Sequence, residues 1–202
     1  KDLSYFADFT TYSFQAIKHL TTGDGGALIC KNEKDYLSAR KLKWFGYDRD
    51  SVKNDKGEWK GQKWDADIDK DHVGYKFNMN NISAAIGLVQ LDFIDNLINK
   101  NIRNANIYHK AFKNSNVIQS IKLPNDSVST YWVFTCIFKG NKSERDILLE
   151  KLIAEGIGAG LVHLPNHKYT AFKDYDTCLP GTKEFSDHQI SLPCGWWLTK
   201  EN

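Results

Sequence analysis

The lysine at position 18 lies in a stretch whose residue types could support covalent chemistry, since residues 12–30 read YSFQAIKHLTTGDGGALIC. A lysine attacks a carbonyl only when its amine is neutral, and the apolar side chains of Phe14 and Ile17 could desolvate it. Ser13, five residues before Lys18, could donate a hydrogen bond to an anionic group such as a phosphate. Most lysines are solvated, so on this pattern alone a plain surface lysine remains the alternative.

The histidines indicate a possible ligand contact but no metal centre. His163 and His167 are four residues apart, and Pro165 between them rules out the continuous helix of a zinc-binding HExxH motif. His167, in the loop HLPNHKY, is a candidate for a polar contact with a ligand, and a plain surface histidine is an equal alternative. The acidic run at 65–71 lacks the glycine and glutamate of an EF-hand loop. We therefore expect no metal.

Composition excludes several classes of protein. A chain of 202 residues with 41% hydrophobic residues can build a core, and its net charge of +2 gives no reason to expect nucleic acid or an anionic membrane as a partner. No apolar run reaches the roughly 18 residues of a membrane-spanning helix. The four cysteines form no CxxC pair, so we expect reduced thiols and a cytoplasmic protein.

The elements that must position Lys18 follow from local patterns. The apolar run 26–30 predicts a strand after the glycine turn, and Asn32 is expected to cap a helix that Gly46 ends. Residues 47–73 form a long polar loop, in which Trp59 and Trp64 could stack on a sugar or base, or pin the loop to the body of the protein or to a second subunit. Apolar residues at helical spacing then predict one long helix over 80–112.

The second half has its own alternating pattern. Residues 130–138 are rich in β-branched and aromatic side chains and predict a strand. Ser143 is expected to open a helix that Gly156 closes, and a further strand over 157–162 would complete a β-α-β unit. Strands alternating with helices predict an α/β fold, with a domain boundary after the long helix, between 115 and 116.

Five segments, taken in order, carry a family resemblance. They are SFQAIKHLTTGDGGAL, GYKFNMNNISAAIGLVQL, TYWVF, GIGAGLVHLPNHKY and ISLPCGWWLT. Together they resemble the DegT/DnrJ/StrS family of pyridoxal-phosphate sugar aminotransferases, and most closely its branch that makes 4-amino-4-deoxyarabinose on a UDP carrier. The resemblance implies an aspartate-aminotransferase-type (type I) fold, with residues 1–115 in the large cofactor-binding domain and 116–202 in the smaller C-terminal domain.

The resemblance also implies roles for individual residues. Lys18 matches the lysine that attaches pyridoxal phosphate as a Schiff base, and Ser13 matches the serine that contacts the cofactor phosphate. Asn78 lies in the segment that family dimers extend to the partner subunit's cofactor phosphate. This chain has Lys76 and Asn78 where the commoner form GYNYRM has asparagine and arginine, which leaves that contact open between them. His167 matches a histidine close to the sugar substrate.

The activity implied is the transfer of an amino group, with glutamate as donor, to a nucleotide-linked keto-sugar in a homodimer whose active sites lie at the interface. Family members also carry an aspartate that pairs with the pyridine nitrogen, and neither Asp2 nor Asp8 matches its motif. The chain is therefore expected to be the C-terminal half or so of a longer enzyme. A non-catalytic or regulatory relative, or a fragment inactive without its N-terminal half, is the alternative.

Overall fold

The computed structural model describes residues 3–60, 68, 71–175 and 177–199. The strands are β1 (Phe9–Ser13), β2 (Gly26–Cys30), β3 (Ile118–Ser120), β4 (Phe134–Phe138) and β5 (Gln189–Leu192). The α-helices are α1 (Glu33–Leu42), α2 (Asn81–Leu91), α3 (Ile94–Phe112), α4 (Lys142–Ala154) and α5 (Pro180–His188), and short 3₁₀-helices span Leu3–Tyr5, Asn166–Lys168 and Thr170–Tyr175. The chain divides into two compact units, Lys1–Asp92 and Phe93–Asn202.

The first unit contains the hairpin expected around the glycine turn. β1 pairs with β2 in antiparallel register, so that Ser13 lies opposite Gly26. The predicted cap of α1 is confirmed, because the Asn32 side chain accepts a hydrogen bond from the Asp35 N–H at 2.9 Å. Gly46 follows the helix with φ +89°, a conformation that favours glycine, and its N–H donates to the Lys41 carbonyl.

The single helix expected over 80–112 is wrong, because the chain forms α2 and α3 with a break at Asp92 and Phe93. The Asp92 N–H bonds to the carbonyl of Val89, three residues back, which tightens the last turn and ends α2. The two compact units divide at this break, so α3 belongs with the second unit. The sequence-based boundary at 115/116 groups α3 with the large domain and stays a prediction, since the two units are defined by packing alone.

The second unit has a three-stranded antiparallel sheet in the order β3-β4-β5. Alternate residues of β4 face the core, where Phe134 and Cys136 are at most 1% exposed. Ile190 of β5 and Ala105 of α3 are both fully buried in the same core. Helix α3 therefore contributes its apolar face to this unit, which explains its grouping.

The β-α-β unit expected after residue 130 is wrong in two respects. Residues 157–162 form only one isolated antiparallel bridge, between Gly160 and Ser191, because the Ala159 N–H turns back to the Ile157 carbonyl at 2.7 Å. The strand expected from 130 begins only at Phe134, since Tyr131 has φ +48°, which is incompatible with an extended strand.

The ends of α4 show one correction and one confirmation. Asn141 caps the helix, not Ser143, and it forms a capping box with Glu144. The stop at Gly156 is confirmed: its φ is +80°, and the Ile157 N–H donates to the Leu152 carbonyl at 2.9 Å, as in a Schellman motif.

The four cysteines, all described, are free thiols. Burial raises the pKa of both Cys136 and Cys194 to about 11, so neither is a ready nucleophile. Within the described residues, no helix combines the length and the apolar character needed to cross a membrane.

Candidate functional site

Lys18 lies on the loop that joins β1 to β2, and hydrogen bonds close this loop at its base. The Phe14 N–H donates to the Gly25 carbonyl and the Thr22 N–H donates to the Phe14 carbonyl, each at 2.9 Å. The Lys18 N–H donates to the Gln15 carbonyl at 2.9 Å, which makes a turn at the lysine itself. The Lys18 side chain is half-buried. The loop thus holds the lysine on a closed backbone frame.

Two other segments pack against the base of this loop. Thr22 is only 4% exposed, and a β-carbon on Gly87 of α2 would lie 2.9 Å from its methyl carbon Cγ2. A β-carbon on Gly25 would lie 2.8 Å from Cε of Met79. Helix α2 and the segment before it therefore fix the loop from outside. Neither contact was expected from the sequence, because nothing in the spacing of Thr22 or Gly87 marks them.

Ser13 is exposed at the end of β1. Its Oγ accepts a weak hydrogen bond from the Gln15 N–H at 3.4 Å, which leaves the hydroxyl hydrogen able to donate to a ligand. The facing residue must be glycine, since a β-carbon on Gly26 would lie 2.7 Å from the Tyr12 carbonyl oxygen. The hairpin therefore brings Ser13 and Lys18 onto the same turn region.

The structure separates the two candidates for the phosphate contact in the GYKFNMNN segment. The Asn78 N–H donates to the Lys43 carbonyl at 3.2 Å, and its side-chain Oδ1 is buried with no hydrogen-bond partner among the described residues. Lys76 is exposed, and its Nζ lies 5.7 Å from the centre of the Trp44 ring. Asn78 therefore has an unsatisfied buried polar atom, whereas Lys76 rests on an aromatic face.

A cavity of about 530 Å³ adjoins Asn78. Its lining carries two carboxylates, Asp48 and Asp50, against five cationic side chains, namely Arg40, Lys41, Lys43, Arg49 and Lys53. Asp50 is already paired with Arg40 and lies 3.8 Å from Lys53 Nζ. Positive charge therefore exceeds negative charge in this cavity, which suits an anionic group.

Arg49 is a cavity residue that sequence reasoning missed. Its guanidinium carbon lies 4.6 Å from the Trp44 ring centre, and its Nε is buried with no hydrogen-bond partner among the described residues. Trp59 packs on cations of its own loop, Arg49 at 5.4 Å and Lys53 at 5.7 Å, so the alternatives of ligand stacking and of pinning the loop both stay predictions. Trp64 lies outside the described residues. No spacing rule marks Arg49 within a polar loop.

His167 belongs to the second compact unit, whereas Ser13, Lys18 and Asn78 all belong to the first. It lies half-buried in the 3₁₀-helix after Pro165 and lines a cavity of about 570 Å³. Much of that lining is apolar, including Phe172, Leu179 and Phe185. In the part of the chain that the structure describes, no three potential metal ligands cluster together.

Comparison with known proteins identifies what this arrangement belongs to. The sequence model of the DegT/DnrJ/EryC1/StrS aminotransferase family matches residues 1–202. The chain belongs to this family. GDP-perosamine synthase of Escherichia coli O157:H7 is 28% identical over 196 residues, covering 97% of this chain and 46% of that protein. An altrosamine transaminase of Campylobacter jejuni, UDP-4-amino-4,6-dideoxy-N-acetyl-beta-L-altrosamine transaminase, is 25% identical over 93% of this chain and 47% of its own length.

Solved structures of DegT/DnrJ/EryC1/StrS relatives give the same result. The sugar aminotransferase CalS13 of Micromonospora echinospora superposes with a TM-score of 0.81 at 28% identity, over 96% of this chain and 48% of CalS13. Spr1654 of Streptococcus pneumoniae, in its PLP-form, superposes with a TM-score of 0.80 at 27% identity over the same shares. The α/β, aspartate-aminotransferase-type (type I) fold is thereby confirmed. The chain spans about half the length of the relatives it matches.

DegT/DnrJ/EryC1/StrS aminotransferases use pyridoxal phosphate, and the residues of the first unit fit this group. The cofactor presents an aldehyde and a phosphate, and the chain offers a half-buried amine at Lys18 and an exposed hydroxyl at Ser13. Asn78 adds a side-chain amide whose Oδ1 is buried without a partner among the described residues and whose Nδ2 donates a weak hydrogen bond, at 3.4 Å, to the Met79 carbonyl. These donors and the neighbouring cations match the charge of a phosphate.

Proposed function

We propose that the full-length protein containing this chain transfers an amino group from glutamate to a nucleotide-linked keto-sugar, with pyridoxal phosphate as cofactor. The products are 2-oxoglutarate and a nucleotide-linked amino-sugar, so the exchange balances without an external oxidant or reductant. Support comes from the family match over residues 1–202 and from relatives named as transaminases of nucleotide sugars. The whole protein determines which sugar is used, which of its carbons receives the amine and which nucleotide carries it.

The observation that carries the proposal is the half-buried Lys18 on a loop closed by backbone hydrogen bonds. A primary amine held on such a backbone frame could attack the aldehyde of the cofactor. Lys18 Nζ would take the proton from the α-carbon of glutamate in the first half-reaction, and it would give a proton to the sugar carbon that receives the amine in the second. Lys18 thus serves first as the attachment point and then as the acid and base.

Ser13 and Asn78 are proposed to hold the cofactor phosphate. The Ser13 hydroxyl would donate to a phosphate oxygen in its own subunit, and Asn78 would do so across the interface of a homodimer. The cationic cavity beside Asn78 would add electrostatic attraction for the same group. When bound, pyridoxal phosphate supplies an electron sink at the carbon that carries the amine. These residues would fix its orientation relative to Lys18.

His167 is proposed to contact the sugar substrate. Its half-buried ring borders a cavity whose apolar lining residues would contact the apolar faces of a sugar beside a polar contact from His167. We further propose that residues 1–115 belong to the large cofactor-binding domain and 116–202 to the small domain, and that the protein is cytoplasmic. We also propose that the protein belongs to the family branch that makes 4-amino-4-deoxyarabinose on a UDP carrier.

Activity of the full-length protein tests the proposal. Lys18→Arg keeps the charge but loses the primary amine, and should abolish transamination of nucleotide keto-sugars by glutamate. Lys34→Arg, at an exposed position of α1, is the matched control and should retain activity. Transamination that persists in Lys18→Arg would overturn the proposal, as would a wild-type protein that binds no pyridoxal phosphate.

A further inference from the structure

A cavity of about 640 Å³ lies in the second unit, between α3, β3 and the loop that follows β3. It shares no lining residue with the cavity of His167. Lys113, Lys122 and Lys139 contribute to its wall, and none of the described lining residues is acidic. The volume is typical of small-molecule sites, and the described lining contains lysines but no carboxylates.

The lysines of this wall are available to a ligand. Lys139 Nζ donates a hydrogen bond to the Ser115 carbonyl at 2.8 Å. Lys113 and Lys122 form no ion pair with any described residue. An uncompensated group of cations in a concave surface raises the local concentration of anions.

A buried hydroxyl in the same wall lacks a partner. Ser120, on β3, has its Oγ buried with no hydrogen-bond partner among the described residues. Leaving such a group unsatisfied costs about 1 to 3 kcal/mol, and buried polar atoms are satisfied in most native structures. Its position in the wall of the cavity lets a bound ligand supply the missing bond.

The lining of the cavity also includes a constrained pair, His109 and Tyr131. The His109 Nε2 and the Tyr131 hydroxyl are 3.0 Å apart. Tyr131 has φ +48°, a conformation that side chains rarely adopt, and the Asn101 Nδ2 holds it by donating to its carbonyl at 3.1 Å. Strained residues persist when the surroundings fix them, and they cluster at ligand sites.

We propose that this cavity binds the phosphate or carboxylate group of a small metabolite. Lys113 and Lys122 would neutralise the anion, and the Ser120 hydroxyl would donate to one of its oxygens. Phe112, Ile118 and Leu123 line the same cavity and would contact the apolar part of the molecule. The described lining of this cavity includes none of the residues proposed for transamination, so failure of the site would leave the proposed function untouched.

Calorimetric titration of the full-length, cofactor-loaded protein tests the site, with inorganic phosphate and succinate as the two probes. Loading fills the cofactor's own phosphate site. The proposed glutamate and nucleotide-sugar sites also accept carboxylates and phosphates, so binding of phosphate or of succinate supports this cavity only where the lysine variants described next weaken it. If neither probe binds, the proposal is overturned.

Two variants locate the binding. Lys113→Ala combined with Lys122→Ala should weaken the probe at least about tenfold, the loss expected for charge-assisted hydrogen bonds. Lys151→Ala combined with Lys173→Ala removes the same charge at exposed positions of this unit and should change affinity less than about twofold. Equal losses of probe affinity in the two double variants would mean that the overall charge of the protein attracts the probe, and would overturn the proposal.

Ser120→Ala separates a ligand contact from a merely structural role. Removing an unsatisfied buried hydroxyl should leave thermal stability unchanged or slightly higher, because no protein hydrogen bond is lost. Probe affinity should nevertheless fall about tenfold. Unchanged affinity in Ser120→Ala would overturn the assignment of this site.

Discussion

Gly87 of α2 packs against the methyl group of Thr22, so closely that a β-carbon at position 87 would lie 2.9 Å from Thr22 Cγ2. Thr22 in turn closes the base of the loop that carries Lys18, through its N–H bond to the Phe14 carbonyl. The position of the proposed nucleophile is therefore coupled to the packing of a helix almost 70 residues further along the chain. The sequence alone offers no sign of this coupling.

Gly87→Ala tests the coupling directly. The added methyl group should force Thr22 to move, at a cost of about 1 to 3 kcal/mol, which exceeds the gain of about 1 kcal/mol in helix propensity. We expect a lower unfolding temperature and a lower kcat in the full-length protein. Gly181→Ala, a helical position with open space around it, should not lower either value.

Asn78→Ala and Lys76→Ala distinguish the two candidates for the phosphate contact. Because Asn78 has an unsatisfied buried side-chain atom beside a cationic cavity, its loss should raise the Kd for pyridoxal phosphate about tenfold. Lys76→Ala should change this Kd little, since Lys76 lies over Trp44. The reverse order of effects would assign the contact to Lys76.

Asp146 gives the second unit a defined pH dependence. Arg145, only 1% exposed, donates from Nε to Asp146 at 2.8 Å, and this hydrogen bond holds the pKa of the Asp146 carboxyl below its usual value. Asp146 therefore stabilises the fold above the unfolded-state pKa of about 4, and this contribution is lost as pH falls through the lower folded-state pKa.

Asp146→Asn should accordingly lower the unfolding temperature at neutral pH, and the difference from wild type should shrink as pH falls below about 4. Glu150→Gln, at an exposed position of the same helix, is the control and should show no such trend. A difference in Asp146→Asn that stays constant across this pH range would contradict the assignment.

The cap of α4 offers a test of local structure. Asn141→Ala removes the side-chain half of the capping box, in which Asn141 Oδ1 accepts from the Glu144 N–H, and should destabilise the protein by about 1 kcal/mol. Ser143→Ala should stay within about 0.5 kcal/mol of wild type, because Ser143 lies inside the helix. Comparable losses in chemical denaturation of both variants would contradict this assignment.

Sequence signals that depend only on neighbouring residues correctly predicted part of this fold. The stop at Gly156 and the cap at Asn32 depend on neighbouring residues only, and both are confirmed. The break at Asp92 and Phe93 was missed because the apolar spacing continues across it. The strand expected over 157–162 is absent from these described residues, apart from one bridge to β5. Whether a strand forms there depends on hydrogen bonding to β5, which is distant in the sequence, and no local pattern encodes that pairing.

The residues of the candidate site likewise differ in whether the sequence could predict them. Ser13 and Lys18 lie on one hairpin turn and could be paired from the sequence, because they are only five residues apart. Arg49 is brought to the cavity of Asn78 by contacts with Trp44 and by loop geometry. Such contacts depend on tertiary packing, so a polar loop in the sequence does not reveal them.

Borohydride reduction of the purified full-length protein is the most direct test of Lys18 as the attachment point. Reduction makes a lysine–cofactor bond permanent, so digestion and mass measurement locate it. We expect the yellow absorbance to bleach and the cofactor's mass to appear on the peptide containing Lys18, and on no peptide containing Lys31 or Lys34. A label on another lysine, or none at all, would contradict the assignment of Lys18.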